Sequence, residues 1–335
     1  MKFVLILMVA VGVDWGQAVE AVAARRVLLV SCDGLRPDAI PLATTPVMQR
    51  LMDTGSYQLT ASAELPPVTL PNHTSMVTGR SVPHHGVFFN VGMTGRVSSQ
   101  TIFDVVKAAN LSVGFFANKG KLSFLCEEGT VDAWRIVGGV DELTTEVVNA
   151  VGAMDLRLMF VHFGEPDGAG HREGWMSEPY LTQIGRVDAA LGRILDALEA
   201  KGVLDETLVI VTADHGGHDK THFLNIPEDR RIPFILNGPG IAEGRVLCEQ
   251  VRTMDAAATA LDFLGLPTDI AVDGKVVREA AVDFVQPECV EPIPTLDLSC
   301  GPVPILLLAP MMVGIILRGR RHRREAVEPK QSQAL

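Results

Sequence analysis

Five residues of metal-ligating type stand just beyond short apolar runs. Asp33 closes Leu29-Val30-Ser31-Cys32-Asp33-Gly34, Asp167 and His171 fall in Glu165-Pro166-Asp167-Gly168-Ala169-Gly170-His171, and Asp214 and His215 end Val211-Thr212-Ala213-Asp214-His215. Carboxylate oxygen combined with imidazole nitrogen suits zinc, and the lack of a thiolate cluster points to a catalytic centre, not a structural one. Three such groups could fall at strand ends in any α/β protein by chance; five in this arrangement ask for a function. Thr69 offers a nucleophile. A threonine hydroxyl attacks poorly near neutral pH unless a metal lowers its pKa or a base takes its proton. Thr69 lies just before Pro71-Asn72-His73-Thr74-Ser75-Met76-Val77, which can begin a helix, and a helix N-terminus offers free N–H groups to a phosphate. Without that context Thr69 would read as an N-cap. Lys119 and Lys121, in Asn118-Lys119-Gly120-Lys121-Leu122, would likewise read as solvated surface.

The elements that must position these groups follow from the spacing of apolar residues. Arg26 to Cys32, Ser112 to Ala117, Leu156 to Phe163, Thr207 to Thr212 and Ile232 to Leu236 are largely apolar runs, as expected of strands buried on both faces. They alternate with helical patterns, the signature of a mostly parallel sheet covered by helices. Tyr180 to Lys201 carries one apolar stripe through Leu181, Ile184, Val187, Leu191, Ile194, Leu195 and Leu198, and Thr253 to Leu264 ends at Gly265, a helix stop. Open sheets of this kind bind ligands beyond the carboxyl ends of their strands, where the acidic and histidine groups fall.

With 335 residues and 47% apolar content the chain can bury a large core, and one domain with flanking segments is expected. A net charge of -11 argues against a general nucleic-acid binder, which gains affinity by neutralising phosphates. Residues 1–24, with Lys2, the apolar run Phe3 to Val13 and Ala21-Val22-Ala23-Ala24, read as a secretory signal peptide. The folded domain is expected over 25–278 and a Pro-rich tether over 279–301. The apolar run 302–317 then abuts a basic tail, 318–335, containing Arg318, Arg320, Arg321, Arg323 and Arg324. That pattern leaves the tail in the cytoplasm and the domain outside, with the run either a permanent membrane anchor or a processed sorting signal. Five cysteines are too few and too scattered for a disulfide scaffold, although an exported domain could form one bridge.

In combination the sequence resembles the type I phosphodiesterase and nucleotide pyrophosphatase family of the alkaline phosphatase superfamily. The matching words are Ser31-Cys32-Asp33-Gly34-Leu35-Arg36-Pro37-Asp38, Thr45-Pro46, Pro67-Val68-Thr69-Leu70-Pro71-Asn72-His73, Val77-Thr78-Gly79, His85-Gly86, Glu165-Pro166-Asp167 with His171, and Thr212-Ala213-Asp214-His215-Gly216. The resemblance implies a three-layer α/β/α sandwich around a mostly parallel sheet. It also implies two zinc ions or other divalent metals, one held by Asp33, Asp214, His215 and the Thr69 oxygen, the other by Asp167, His171 and a third histidine. His222, in Lys220-Thr221-His222, fits that place best, with His218 as runner-up.

The resemblance further implies that Asn90, 21 residues after Thr69, donates to a phosphoryl oxygen. Lys119 and Lys121 are placed like the lysine pair of phosphonoacetate hydrolase, a substrate-binding role favouring a dianionic monoester or phosphonate. The reaction implied is in-line displacement through a covalent phospho-threonine, on a phosphorylated small molecule or lipid. Alternatives are a phosphomonoesterase, a phosphonate hydrolase, a membrane-linked phosphoryl-headgroup transferase, or a non-catalytic binding module, whose mark would be missing ligands. The sulfatase motif Cys-x-Pro-x-Arg is absent. The short interval from His215 to His222 leaves no room for the substrate-binding insertion of the nucleotide pyrophosphatases. His73, His84, His85 and His162 take no metal role, and His85 is expected to structure the loop that carries Asn90.

Overall fold

A computed structural model describes residues 25–91 and 95–286. The signal peptide over 1–24, most of the 279–301 tether, the 302–317 apolar run and the 318–335 basic tail lie outside the described residues. Among those described, no helix is long and apolar enough to cross a membrane.

Among the described residues, eight strands, β1 (Arg26–Cys32), β2 (Ser56–Ser62), β3 (Val113–Ala117), β4 (Ala133–Ile136), β5 (Leu158–Phe163), β6 (Thr207–Thr212), β7 (Arg231–Asn237) and β8 (Arg245–Val246), form one sheet in the order β4-β3-β5-β1-β6-β7-β2-β8. Only β7 runs against its neighbours. All residues of β1, β3, β5 and β6 are buried, as their apolar sequences require. Each buried Val, Leu, Ile or Phe in this core contributes about 1.5–3 kcal/mol relative to exposure.

The helices are α1 (Pro46–Asp53), α2 (Thr69–Thr78), α3 (Val82–His85), α4 (Ile102–Ala108), α5 (Val140–Ala153), α6 (Glu165–Glu173), α7 (Glu178–Ala200), α8 (Pro227–Arg230) and α9 (Asp255–Phe263). They pack in two groups. In one, α1, α5 and α6 gather on α7; in the other, α2 and α4 gather on α9, which lies against β1 and β6. The sheet between them makes the expected α/β/α arrangement.

The long amphipathic helix α7 starts where Ser177 accepts a hydrogen bond from Tyr180 N at 3.4 Å, and it buries Ile184, Val187, Leu191, Ile194, Leu195 and Leu198. It also reaches the sheet's functional end. The Tyr180 hydroxyl donates to Gly34 O at 2.9 Å and accepts from Arg36 N at 3.0 Å, fixing the loop after β1.

Three strands depart from what the sequence suggests. β2 escapes the apolar pattern because its inward face is polar: Ser56 and Gln58 are buried, and Gln58 Nε2 donates to Leu247 O at 2.9 Å and Glu249 O at 2.8 Å. β4 and β8 are too short, at four and two residues, to show a period. The expected domain end at 278 also needs correction. Glu279 is buried, and its carboxylate accepts from Cys248 N and Glu249 N at 2.8 Å each, so the start of the expected tether is part of the domain. Cys248 is disulfide-bonded, whereas Cys32 and Cys126 are free and buried. Burial pushes the Cys32 thiol far above its ordinary range, which leaves it inert.

Candidate metal centre

The carboxyl ends of β1, β5 and β6 lie side by side, and each delivers candidate ligands. Past β1, Asp33 N donates to Phe163 O at 2.8 Å and Asp33 O accepts from Asp167 N at 2.9 Å, which binds the two ligand loops to each other. Gly34 is required there: its φ is +73°, and a side-chain carbon would lie 3.0 Å from Asp167 Cα. Past β5, α6 carries Asp167 and His171 one turn apart, with His171 Nε2 3.3 Å from Asp167 Oδ1. Past β6, Asp214 Oδ1 accepts from Gly34 N at 3.1 Å, and His215 Nε2 lies 3.3 Å from Asp214 Oδ2 and 3.5 Å from Asp33 Oδ1.

Two of the resulting groups are those expected: Asp33, Asp214 and His215 in one, and Asp167, His171 and His222 in the other. His222 Nε2 is 3.1 Å from His171 Nε2 and 3.6 Å from Asp167 Oδ1, and its ring stacks on His215 with centroids 3.7 Å apart. The runner-up, His218, turns away and pairs through Nδ1 with Asp229 Oδ1 at 2.6 Å.

The donor atoms fit cations. His171 Nδ1–H donates to Lys220 O at 3.0 Å, His222 Nδ1–H to Pro67 O at 2.8 Å and His215 Nδ1–H to Gly216 O at 2.8 Å. A carbonyl can only accept, so each neutral ring presents a bare Nε2 lone pair to the centre, the arrangement that orients metal-binding histidines. Two such lone pairs 3.1 Å apart repel unless a cation lies between them. The carboxylates agree: Asp33 Oδ1, Asp167 Oδ1 and Asp214 Oδ2 are buried with no hydrogen-bond partner among the described residues. Burial and the neighbouring Asp33 charge push Asp214 up to about 7, and burial holds His222 down to about 4.

Thr69 is the first residue of α2, and the residue before it, Val68, takes the N-cap position without a side-chain bond, so the Thr69 hydroxyl is not spent on capping. It faces His215 Nε2 at 3.5 Å. Asn90 Oδ1 accepts from Leu70 N at 3.0 Å and from Lys121 Nζ at 3.0 Å, which brings Asn90, Lys121 and the start of α2 together. The lysine pair is split: Lys119 Nζ lies 2.7 Å from Asp33 Oδ2 and 2.5 Å from Asp167 Oδ2.

Sequence reasoning gave no role to two buried histidines that the fold brings here. His162 Nε2–H donates to Asp33 Oδ2 at 2.9 Å, and His73 Nδ1 lies 3.4 Å from Asp214 Oδ2 while bonding Thr69 O at 2.8 Å. The available signal was a lone imidazole in the otherwise apolar run Leu158–Phe163, since a buried polar ring needs a partner. At the surface, Ser81, His84 and Asp273 also cluster, but Ser81 Oγ and Asp273 Oδ2 both approach His84 Nδ1, at 3.2 and 2.5 Å. A ring addressed twice on one nitrogen cannot relay a proton between them as a catalytic triad does.

The family model for type I phosphodiesterase / nucleotide pyrophosphatase matches residues 27–105 and 128–227, more than half of the chain. Among curated proteins, ectonucleotide pyrophosphatase/phosphodiesterase family member 7 of Mus musculus is 26% identical over 223 residues, covering 57% of this chain and 49% of the relative. The extracellular sulfatase SULF-1 homolog of Drosophila melanogaster is 36% identical over 103 residues, which are 29% of this chain and 9% of that protein. The chain thus spans about half the length of the phosphodiesterase relative. Among solved structures, inactive murine ectonucleotide pyrophosphatase/phosphodiesterase 5 in complex with AMP superposes with a TM-score of 0.63 at 16% identity, covering 73% of this chain and 96% of that one. A phosphonate monoester hydrolase from Silicibacter pomeroyi gives 0.61 at 17% identity, covering 78% of each. These structures share the alkaline-phosphatase-like fold expected from the sequence.

Proposed function

The chain belongs to the type I phosphodiesterase/nucleotide pyrophosphatase family, and from that membership we propose that it hydrolyses phosphate esters at a two-metal centre with Thr69 as nucleophile. One observation carries the reading: three carboxylates and three imidazoles cluster in two groups, each carboxylate with one buried oxygen lacking a hydrogen-bond partner among the described residues, and the Thr69 hydroxyl lies 3.5 Å from His215 Nε2 in the first group. Asp33, Asp214 and His215 would hold one divalent cation beside Thr69, and Asp167, His171 and His222 the other, with zinc favoured by the nitrogen and oxygen donors. Bound there, the cations supply Lewis-acid charge and lower the pKa of the nucleophile.

The rest falls to the chain's own groups. Thr69 Oγ1 gives up its proton to solvent and attacks phosphorus; the bond from phosphorus to the ester oxygen breaks on the opposite side, and that oxygen takes a proton from solvent. Water then attacks phosphorus in a second displacement that breaks the phospho-threonine bond and returns Thr69 to its hydroxyl form. The N-terminus of α2, the Asn90 amide and Lys121 stabilise the non-bridging oxygens, where charge develops. With Lys119 paired to Asp33 and Asp167, Lys121 is the one lysine of the pair left to face substrate. That count favours a monoanionic diester over a dianionic monoester or phosphonate. Export of the domain belongs to the same proposal, on the strength of the leader and basic tail read from the sequence.

The test is hydrolysis of an aryl phosphate diester and the matching monoester by the zinc-supplied protein. Faster diester cleavage is expected, and faster monoester cleavage would transfer the assignment to a phosphomonoesterase. Thr69→Ala and Asp214→Ala are expected to fold and to lose turnover by about 10³-fold or more. Wild-type turnover in either variant would refute the nucleophile or the metal assignment.

A further inference from the structure

Lys119 follows β3 in a loop that is tied to the loop after β5. Asn118 Oδ1 accepts from Gly164 N at 2.7 Å. Gly164 has an ordinary negative φ of -95°, so its lack of a side chain answers to space and not to backbone strain. A carbon there would lie 2.8 Å from Asn118 Oδ1 and 3.0 Å from Lys119 Cε. The bare glycine is the passage through which the lysine stem reaches the centre, where its side chain is 20% exposed.

We infer that Lys119 is a bridging cation built into the centre, a positioning residue and not a substrate contact: its ammonium joins Asp33 of one metal group to Asp167 of the other and holds both groups in place before any metal arrives. The inference rests on the proposed function, in which those aspartates are ligands. Its geometry divides the oxygens cleanly. Lys119 takes Oδ2 of Asp33 at 2.7 Å and Oδ2 of Asp167 at 2.5 Å, while Oδ1 of each is buried without a hydrogen-bond partner. His162 adds a second donor to the same Asp33 Oδ2, at 2.9 Å. Lysine and metal therefore do not compete for one atom, and each aspartate is turned to present a single oxygen.

The charges explain why such a cation is needed. Asp33, Asp167 and Asp214 are all buried, so water screens their charges poorly. Without a counter-ion, Asp33 and Asp167 would repel across a poorly solvated gap, and one would protonate or swing out. The Lys119 ammonium offsets that repulsion at a point between the two groups, as outer-shell partners orient first-shell ligands elsewhere.

The experiment compares thermal unfolding of wild type, Lys119→Met, Asp167→Asn and the double variant, first in EDTA and then with zinc alone. In EDTA, Lys119→Met is expected to melt about 5 °C or more below wild type, because it leaves buried carboxylates unpaired. Adding Asp167→Asn to Lys119→Met should recover most of that loss, the coupling expected of interacting groups. Zinc should raise the midpoint of Lys119→Met more than that of wild type. If Lys119→Met fails to fold, recovery of folding in the double variant supports the bridge in the same way. The inference is overturned if Lys119→Met melts like wild type in EDTA and shows the wild-type response to zinc, with its defect confined to KM. It is equally overturned if the double variant is no more stable than Lys119→Met. Wild-type zinc stoichiometry, measured alongside, tests the two-metal reading separately, since the comparison in EDTA contains no metal.

Discussion

The tautomers of individual histidines decide much of what this centre can do, and one outside it gives a measurable acid response. Val87 N donates to His85 Nδ1 at 3.1 Å, so that nitrogen is an acceptor and the proton sits on Nε2, which bonds Ser75 Oγ at 3.0 Å. Burial lowers His85 to about 4 from its ordinary 6.5. The sign follows: above pH 6.5 the ring is neutral in both states and its contribution is intact, while between 6.5 and 4 the unfolded chain takes up the proton and stability falls. The thermal midpoint of EDTA-treated protein should therefore drop over that interval, and His85→Gln should flatten the decline by about one proton's share. An unchanged slope in the variant would show that His85 is not held neutral. His85 was legible as a loop-structuring residue because it precedes Gly86, and the proposed ligands Asp33, Asp167, Asp214 and His215 drew notice because they stand just past apolar runs, whereas His222 came only from the family resemblance. His162 and Lys119 were not legible, since their meaning depends on register and space: β1 and β5 pair Ser31 with His162, and Lys119 needs the gap at Gly164.

At the level of elements, the proposed second metal group depends on how α6 and the segment after β6 are held together, and Trp175 does this. Its Nε1–H donates to Gly34 O at 2.9 Å, and its ring stands edge-on to His171 with centroids 5.1 Å apart. A carbon added at Gly170 would lie 2.6 Å from the Trp175 ring, and one added at Gly217 only 2.1 Å. Gly217→Ala must therefore displace Trp175, and with it His171 and His222. Bound zinc is expected to fall from two ions toward one in that variant, with a shift in tryptophan emission, as measured by metal analysis after dialysis and by fluorescence. Two tightly held ions with unchanged emission would remove Trp175 from this role. The sequence showed the strands that bear the proposed ligands, because β1, β5 and β6 are largely apolar. It did not show β2, whose buried Gln58 is satisfied by carbonyls 189 and 191 residues away. Nor did it show that β7 reverses direction, which follows from its pairing with β6 and β2 and not from composition.

For the molecule as a whole, the end of the domain is set by hydrogen bonds and not by composition. The Pro-rich, irregular character of the chain past Val276 suggested a boundary at 278, yet the following residues complete the edge of the sheet. Glu279 accepts from Cys248 N and Glu249 N, and Arg245 Nη1 donates to Glu279 O and Ala281 O at 2.7 Å each. Ala242 N donates to Ala280 O at 2.8 Å and Val282 N to Gly240 O at 3.0 Å, so the connection from β7 to β8 leans on this segment. Ending the chain at 278 leaves Cys248 N, Glu249 N, Ala242 N and Arg245 Nη1 without these acceptors and Gly240 O without its donor, at a cost of about 1–3 kcal/mol for each buried group that water cannot reach. For a domain of this size each kcal/mol lowers the midpoint by about 2–4 °C. A chain ending at 286 should accordingly melt about 5–10 °C above one ending at 278, both measured in EDTA so that metal binding does not enter. Glu279→Ala in the longer chain should reproduce a large part of that difference, because its carboxylate alone serves two backbone N–H groups. Equal midpoints for the two lengths would return residues 279–286 to the tether and leave the edge at β8 to stand without them.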